Sequence, residues 1–176
     1  MFGITAALAA PAVVYDIGGK FDKSFNQSAF DGAERYRVET GEAFKEFEPT
    51  NDAQREQALR RLAKRGSNPI VAIGFNQAAA VEKVAKEFPA LKFTIVDMVV
   101  ELPNVQSVVF KEHEGSFLVG ALAAMTSKTG KLGFVGGMDI PLIRRFACGY
   151  LKGAQHVRSN AEVFVNMTGT TPAAWN

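Results

Sequence analysis

Cysteine is nearly absent from this chain of 176 residues, because Cys148 is the only one. A single thiol excludes a disulfide framework and a cysteine-rich zinc site. A charge excess of either sign is also lacking, since 20 Lys and Arg stand against 18 Asp and Glu, a net charge of +2. Because no run rich in Lys and Arg is present, nothing in the sequence demands a nucleic-acid partner, and we expect none. Glycine (16) and proline (7) are too few for a collagen-like or low-complexity chain.

What the sequence does contain is the composition of a folded protein. Apolar residues make up 47% of the chain and charged residues 22%, which excludes intrinsic disorder. The length suits one ordinary domain or slightly more. Cys148 falls inside a predicted helix without a neighbouring histidine, and we expect it to be a buried, unreactive thiol.

The two ends of the chain are unusual. Residues 1–15 carry no charge and are too short to span a bilayer, which requires ~20 residues. Two interpretations of residues 1–10 stay open: a signal-peptide remnant, in which Ala7-Leu8-Ala9 precedes the cleavage site, or a disordered lead. No cysteine follows this segment, so the sequence does not support a lipid anchor. At residues 173–176 the chain stops where a helix would begin, and we expect a truncation.

Strand-like and helix-like segments alternate along the chain. The first helix is predicted to open with the pair Ser24 and Gln27, a capping box, and to end at Gly41. Asn51 and Gln54 predict a cap for the second helix. Continuously apolar strands joined by helices are typical of a parallel sheet with helices on both faces, so the predicted fold class is α/β. Strands are expected at 12–17, 44–47, 69–73, 93–96, 105–110, 132–135 and 163–165, and later helices at 77–88, 114–127 and 141–157.

The carboxyl ends of the predicted strands gather the residues that suit a ligand. In an open parallel sheet, ligands bind at this edge. Taken singly, most of these residues have a structural explanation: Asp22, Ser24 and Asn76 as helix caps, the rings as core, the glycines as turns. Together at one edge they favour a binding site. The candidates are Asp16, Asp22, Ser24, Phe25, Asn26, Gly74, Phe75, Asn76, Asp97 and Asp139.

These residue types indicate an uncharged, flat ligand that is rich in hydroxyl groups. Carboxylates accept hydrogen bonds from paired hydroxyls, amides match the edge of a heterocycle, and aromatic rings stack on a base. Phosphate is disfavoured because the aspartates would repel it and because neither a phosphate-loop pattern nor a G-x-G-x-x-G pattern is present.

The sequence contains little evidence for a catalytic site, a metal site or a cofactor site. No serine occupies a G-x-S-x-G turn. His113 lies between Glu112 and Glu114, but side chains at successive positions point in different directions, which favours a structural or surface role. We therefore expect no catalytic residue, no metal site and no cofactor.

The sequence from Asp16 to Gly32, DIGGKFDKSFNQSAFDG, resembles the first-strand signature of the basic membrane protein family. Members of this family are the periplasmic substrate-binding components of ABC importers that take up purine nucleosides. The resemblance covers essentially the whole chain, and the first motif is long and specific. It continues through Gly74-Phe75, Ile95-Val96-Asp97, residues 108–116, residues 120–123 and Gly136-Gly137-Met138.

The resemblance implies a type I periplasmic-binding fold, in which two α/β lobes joined by a hinge close over the ligand. Residues 11–112 would form lobe one, nearly complete, and 113–176 the crossover helix and the beginning of lobe two. The family pattern implies that Asp16 and Asp97 accept ribose hydroxyls and that Phe25 stacks on the base. Asn26 would make a polar contact with the base, and Phe75 would form a further wall.

The resemblance also implies partners and a location. These are a purine nucleoside and the membrane permease of an ABC transporter, with no nucleic acid, in the periplasm or cell envelope after export. Two departures from the family are visible: the lipobox cysteine is lacking, and the chain ends about halfway through the expected length.

Three alternatives stay open. The same fold can bind a free purine or a sugar instead of a nucleoside. A small α/β nucleoside hydrolase using the aspartate cluster is a candidate from another class. Finally, the chain by itself would bind nothing if half of its cleft is absent, and it would then self-associate through exposed lobe surfaces.

Overall fold

The computed structural model of the chain describes residues 9–171 and Ala174. Residues 1–8, which carry most of the predicted signal remnant, lie outside the described residues, as does most of the predicted helix start at 173–176. The chain divides into two units, the first ending at Val109 and the second beginning at Phe110. Their assignment to two lobes stays a proposal.

The first unit is built on a parallel sheet of five strands within the described residues. The strand order is β2-β1-β3-β4-β5, and every neighbouring pair is parallel. This arrangement confirms the α/β class predicted from the alternating pattern. The strands are β1 (Ala12–Val14), β2 (Lys45–Phe47), β3 (Ile70–Ile73), β4 (Phe93–Val96) and β5 (Val105–Val108).

Helices cover both faces of this sheet, as predicted. Side chains alternate between the faces of a strand, so Ala12 and Val14 pack against the helices on one face and Val13 and Tyr15 against the helix on the other. The first face carries α2 (Asp52–Lys64) and α3 (Ala78–Glu87), and the second carries α1 (Phe25–Thr40).

Helix ends in the first unit follow the predicted signals, with one exception. Gly41 ends α1 with a φ of 72°, and the Asn51 side chain accepts a hydrogen bond from the Gln54 N–H, so both predictions are confirmed. The predicted capping by Ser24 is wrong, because its side chain makes no cap hydrogen bond. The Asp22 carboxylate, placed two residues earlier, accepts the free N–H groups at the start of α1 instead.

The first strand that ends at the predicted site is shorter than expected. β1 stops at Val14 instead of residue 17, because the chain then turns through Gly18 and Gly19, whose φ values are 119° and 81°. The predicted helix at 77–88 corresponds to α3, and a short 3-10 helix, Phe75–Gln77, precedes it. The predicted cap role of Asn76 is therefore wrong, since Asn76 lies inside the 3-10 helix.

The second unit contains a pair of parallel strands and two helices. β6 (Lys131–Met138) pairs with β7 (Glu162–Gly169), and both strands are longer than predicted. The helices are α4 (Glu112–Thr126) and α5 (Pro141–Val157). The buried cluster of this unit consists of Ala124, Ala154 and Ala161.

Glycines bring α4 and α5 into backbone contact. A Cβ added at Gly120, Gly149 or Gly153 would lie closer than 3.0 Å to backbone atoms of the opposite helix. The helix α4 therefore packs closely against α5. Close packing is confined to one face, however, because Leu118, Leu122 and Met125 are exposed.

The expectation of a buried cysteine is wrong. Cys148 lies on α5 and is exposed to solvent. The buried side of α5 carries Leu142, Ile143, Ala147 and Ala154. Ala147, which precedes Cys148, is buried. Consecutive helix positions are turned by roughly 100° relative to one another, so the side chain of Cys148 points away from the buried side.

Candidate functional site

Three neighbouring strands of the first unit end at the same level. The register pairs Val14 with Ala72 and Ile73 with Val96. Continued past the strand ends, this register places Asp16 beside Gly74, and Gly74 beside Asp97. Adjacent strands lie ~4.8 Å apart, so the two aspartate positions are separated by roughly 10 Å, with the glycine between them.

Asp16 has a carboxylate whose two oxygens lie in different surroundings. Oδ1 accepts the N–H of Ile17 at 2.9 Å and Nη2 of Arg55 at 2.7 Å. Oδ2 lies against Gly74, where an added Cβ would be only 2.6 Å away. The side chain of Asp16 is 19% exposed. Gly74 also has a φ of 99°, so both its backbone conformation and its lack of a side chain are required beside Asp16.

Arg55 is a residue that sequence reasoning missed. It is 5% exposed, and its second terminal nitrogen, Nη1, pairs with Asp52 one turn earlier in α2. The signal was its spacing, because Arg55 lies three and four residues before the apolar residues Ala58 and Leu59, which are buried. An arginine on the buried face of a helix requires an acidic partner, because an unpaired buried charge is energetically costly.

Asn26 closes the loop between β1 and α1. Its Oδ1 accepts the N–H of Asp16 at 2.9 Å, while its Nδ2 donates to the carbonyls of Asp16 at 3.1 Å and Gly19 at 3.2 Å. The residue is 2% exposed. These bonds hold the backbone around Asp16 in place, and the contact of Asn26 with a ligand stays a prediction.

Asp22 and Ser24 precede α1 on the exposed side of the same loop. The Asp22 carboxylate accepts N–H groups of Ser24, Asn26 and Gln27 at 2.8–3.1 Å. Partial burial raises the pKa of Asp22, but these backbone hydrogen bonds outweigh it and leave the pKa below its ordinary value. The structure thus gives Asp22 a structural role, and a ligand contact by either residue stays a prediction.

The two predicted rings, Phe25 and Phe75, are both half-buried. Phe25 packs beside the cluster of Val13, Tyr15 and Ile73 on the α1 face of the sheet. Phe75 opens the 3-10 helix directly after Gly74. Each ring therefore keeps part of its surface open to solvent near a strand end.

Gln77 is a second residue that sequence reasoning missed as part of the site framework. Its side chain is fully buried, and Nε2 donates to the carbonyls of Val14, Tyr15 and Ile73 at 3.0–3.3 Å. A single amide thereby fastens the carboxyl ends of β1 and β3 together. The carbonyls at a strand end carry no sequence signal, which is why this role was not predicted.

Asp97 follows β4 in the left-handed backbone region, with a φ of 69°. Its N–H donates to the carbonyl of Val108 at 2.9 Å. Aspartate adopts a left-handed conformation more readily than most residues other than glycine, because its short polar side chain can form local hydrogen bonds. Exposed apolar residues follow both aspartates, with Ile17 after Asp16, and Met98 and Val99 after Asp97.

Asp139 belongs to the second unit, at the end of β6. Its two oxygens accept Nε and Nη2 of Arg144 at 2.7 and 3.0 Å. The hydrogen bond from Arg144 lowers the pKa of Asp139. Arg144 thus neutralises this carboxylate locally, and its participation in a ligand site stays a prediction.

Two further features are absent from residues 9–171 and Ala174. This part of the chain contains no group of three or more His, Cys, Asp and Glu side chains suited to a metal ion. It also contains no helix with the length and apolarity that crossing a membrane requires.

Comparisons with known proteins agree on one family. A family model described as "ABC transporter substrate-binding protein PnrA-like" (Bmp) matches residues 9–173. The "CD4+ T-cell-stimulating antigen" of Listeria monocytogenes is 36% identical over 160 residues, which cover 88% of this chain and 45% of that protein. The "ABC transporter nucleoside-binding protein BmpA" of Lactococcus lactis is 34% identical over 164 residues, which cover 90% of this chain and 47% of that protein.

A solved structure supports the same relationship. A solute-binding protein of an ABC transporter system from Aeropyrum pernix superimposes with a TM-score of 0.79 at 33% identity, covering 94% of this chain and 50% of that one. The chain spans about half the length of the curated relatives it matches. The resemblance first read from the Asp16–Gly32 motif is confirmed at the level of the family.

Proposed function

The chain belongs to the Bmp family of PnrA-like ABC transporter substrate-binding proteins, and from this premise we propose that it takes part in binding a purine nucleoside for import. The observation that carries the proposal is the Asp16 carboxylate, which is fixed through Oδ1 and lies against a glycine through Oδ2. A fixed carboxylate at a strand end is suited to accept hydrogen bonds from sugar hydroxyls.

The second aspartate supports a ribose as the group that is bound. Asp97 occupies the strand position two strands away, roughly 10 Å from that of Asp16. A separation of this size leaves room above Gly74 for a sugar, whose hydroxyl groups can donate to the carboxylates of both aspartates. Because the backbone of Asp97 is left-handed, β4 ends before this residue, and Asp97 lies at the strand end.

The aromatic and apolar residues around the strand ends support a flat base. Phe25 and Phe75 are half-buried, and Ile17, Met98 and Val99 are exposed beside the aspartates. Stacking of a base on one aromatic ring contributes about 1–3 kcal/mol, which is comparable to a hydrogen bond to a charged group. The name of the Lactococcus relative, a nucleoside-binding protein, agrees with this chemistry.

The partners and location are part of the same proposal. Substrate-binding proteins of ABC transporters deliver a ligand to a membrane permease, and we propose such a permease as the protein partner. We also propose export to the periplasm or cell envelope, and the assignment of the two units to lobe one and the beginning of lobe two. The protein itself is proposed to bind without catalysis.

The alternatives differ in their support. A free purine or a sugar in the same fold would use only part of this arrangement, the rings or the aspartates. The nucleoside hydrolase gains no support from the relatives, which are substrate-binding proteins. The nucleoside is favoured because it uses both the aspartates and the rings.

The Asp16→Asn variant tests the proposal. Asparagine keeps the shape of the side chain and the acceptor at Oδ1, but it replaces Oδ2 with an NH2 group that cannot accept a hydrogen bond. We expect inosine affinity, measured by isothermal titration calorimetry on the 176-residue chain, to fall about tenfold or more, as for the loss of a bond to a charged acceptor. The circular dichroism spectrum is expected to stay unchanged.

Two controls make the result specific. Asp31→Asn alters an exposed aspartate on α1 and is expected to leave inosine affinity unchanged. Hypoxanthine and ribose, titrated separately, distinguish the nucleoside from its parts. Equal or tighter binding of either part than of inosine would overturn the nucleoside assignment, and normal inosine binding by Asp16→Asn would remove Asp16 from the site.

A further inference from the structure

We infer that Arg55 is the positioning residue of the site: it occupies Oδ1 of Asp16 and thereby directs Oδ2 to a hydroxyl of the ligand. The inference rests on the proposed function and assigns a role to a residue outside the predicted ligand-binding set. Its basis is the geometry of one buried guanidinium between two carboxylates, Asp16 of the strand end and Asp52 of α2.

Arg55 is itself held in place by the start of its helix. The Asn51 side chain accepts the Gln54 N–H at 3.2 Å, and the Gln54 Oε1 accepts the Thr50 N–H at 2.9 Å. This reciprocal arrangement fixes the first turn of α2, and Arg55 is the next residue. Because the first turn is fixed and the guanidinium is buried, Arg55 has little freedom to move away from Asp16.

The hydrogen bonds of the guanidinium divide between its two acid partners. Nη2 donates to Asp16 and Nη1 to Asp52, whereas Nε is buried without an acceptor among the described residues. The Asp52 side chain is 68% exposed, so water screens that pair, while the Asp16 side chain is 19% exposed. The pair with Asp16 is therefore the more strongly coupled one.

The two oxygens of Asp16 are thus differently occupied. Oδ1 already accepts two donors, the N–H of Ile17 and Nη2 of Arg55. Oδ2 receives no hydrogen bond within the described part of the chain and lies against Gly74. A ligand hydroxyl that donates to Asp16 therefore meets Oδ2, and the rotation that would exchange the oxygens requires breaking the pair with Arg55.

The experiment compares how strongly each variant discriminates inosine from 2′,3′-dideoxyinosine, which lacks both ribose hydroxyls. The wild-type chain is expected to bind inosine about tenfold or more tightly than the dideoxy compound, by titration calorimetry. In Arg55→Gln, which lacks the cation, this ratio is expected to fall toward one. A general loss of structure would weaken the binding of both compounds alike and leave the ratio of the two affinities unchanged.

Three further variants complete the design. Arg55→Lys restores a cation without the planar fork and is expected to recover part of the ratio. Arg60→Gln, an arginine of the same helix paired with Glu56 and Glu87 outside the site, is expected to keep the full ratio. Asp52→Asn is also expected to keep it, because the pair between Arg55 and Asp16 survives.

The outcomes separate the inference from the proposed function. If the wild-type chain binds neither compound, the proposed function fails, and the role of Arg55 toward a ligand fails with it. If the wild-type chain discriminates the two and folded Arg55→Gln keeps the same ratio, the inference alone is overturned. If Arg55→Gln does not fold by circular dichroism, Arg55→Lys decides: a reduced ratio supports the inference, and the wild-type ratio overturns it.

Discussion

The two units of the chain bury their apolar side chains in different ways. The first unit contains a cluster of aliphatic and aromatic residues on one face of its sheet and a second cluster on the other face. Leu59, Ile70, Phe93 and Ile95 in the larger cluster are at most 1% exposed. In the second unit, the buried cluster contains three alanines, and several large apolar side chains remain exposed.

The difference follows from what separates the packed elements. In the first unit, branched side chains fill the space between sheet and helices. In the second unit, glycines let the backbones of α4 and α5 touch, which leaves little space for large side chains between the helices. Leu118, Leu122 and Met125, spaced as one face of α4, are thus directed to solvent.

The largest effect is expected from filling the contact between α4 and α5. In Gly153→Ala, the new methyl would lie closer than 3.0 Å to three backbone atoms of Phe117, which a side-chain rotation cannot relieve. The helices must separate, and we expect a loss of about 3 kcal/mol or more of unfolding free energy. Urea unfolding followed by circular dichroism measures the loss, and amide hydrogen exchange locates it in the second unit.

Gly115→Ala is the matched control on the same pair of helices. Nothing lies within 4 Å of a Cβ at Gly115, so alanine there is expected to stabilise α4 by about 0.5–1 kcal/mol. Equal effects of the two substitutions would show that backbone contact does not hold the second unit together.

A smaller effect is expected on self-association, for which we propose a second copy of the chain as the partner. The α4 face is exposed and apolar, and Val135 and Phe164 of the sheet in the same unit are exposed as well. Leu122→Glu replaces the middle residue of the α4 face, and we expect it to weaken association by about 2 kcal/mol, the contribution of one buried leucine. Sedimentation velocity over a range of concentrations measures the effect.

Val38→Glu provides the comparison in the first unit. Val38 is 73% exposed, similar to the α4 residues, but it is an isolated valine on α1. We expect this variant to associate like the wild-type chain. Equal weakening by both substitutions, or a wild-type chain that stays monomeric at all concentrations, would contradict the role of the second unit.

Most of the fold was predictable because its signals are local. The apolar runs around residues 70–73 and 93–96 indicated buried strands, and Gly41 and Asn51 indicated helix ends. The exposure of Cys148 was not predictable in this way. Whether one position of a helix is buried depends on the neighbouring element, and glycine contacts between helices leave no trace in hydrophobic periodicity.

The site was predictable only in part, for a related reason. Asp16, Gly74 and Asp97 each follow an apolar strand, so the carboxyl-edge rule brought them together. Arg55 and Gln77 reach this edge from helices, across 39 and 62 residues from their partners Asp16 and Tyr15. From the sequence alone, those contacts cannot be predicted: Arg55 resembles the other cations of a charged helix, and Gln77 resembles an ordinary first residue of a helix.

The smallest of these effects distinguishes two aspartates, Asp22 before α1 in the first unit and Asp139 at the end of β6 in the second. The pKa of Asp22 is lowered from its ordinary 3.8 by backbone N–H groups that outweigh burial. Asp22 therefore stabilises the fold above pH 3.8, and this contribution disappears as the pH falls through the lowered pKa. We expect Asp22→Ala to cost about 1 kcal/mol at pH 7 and less below pH 3.8, by urea unfolding. Asp139→Ala removes a solvent-exposed pair with Arg144 and should cost less, so the reverse order would show that surface pairing outweighs helix capping here.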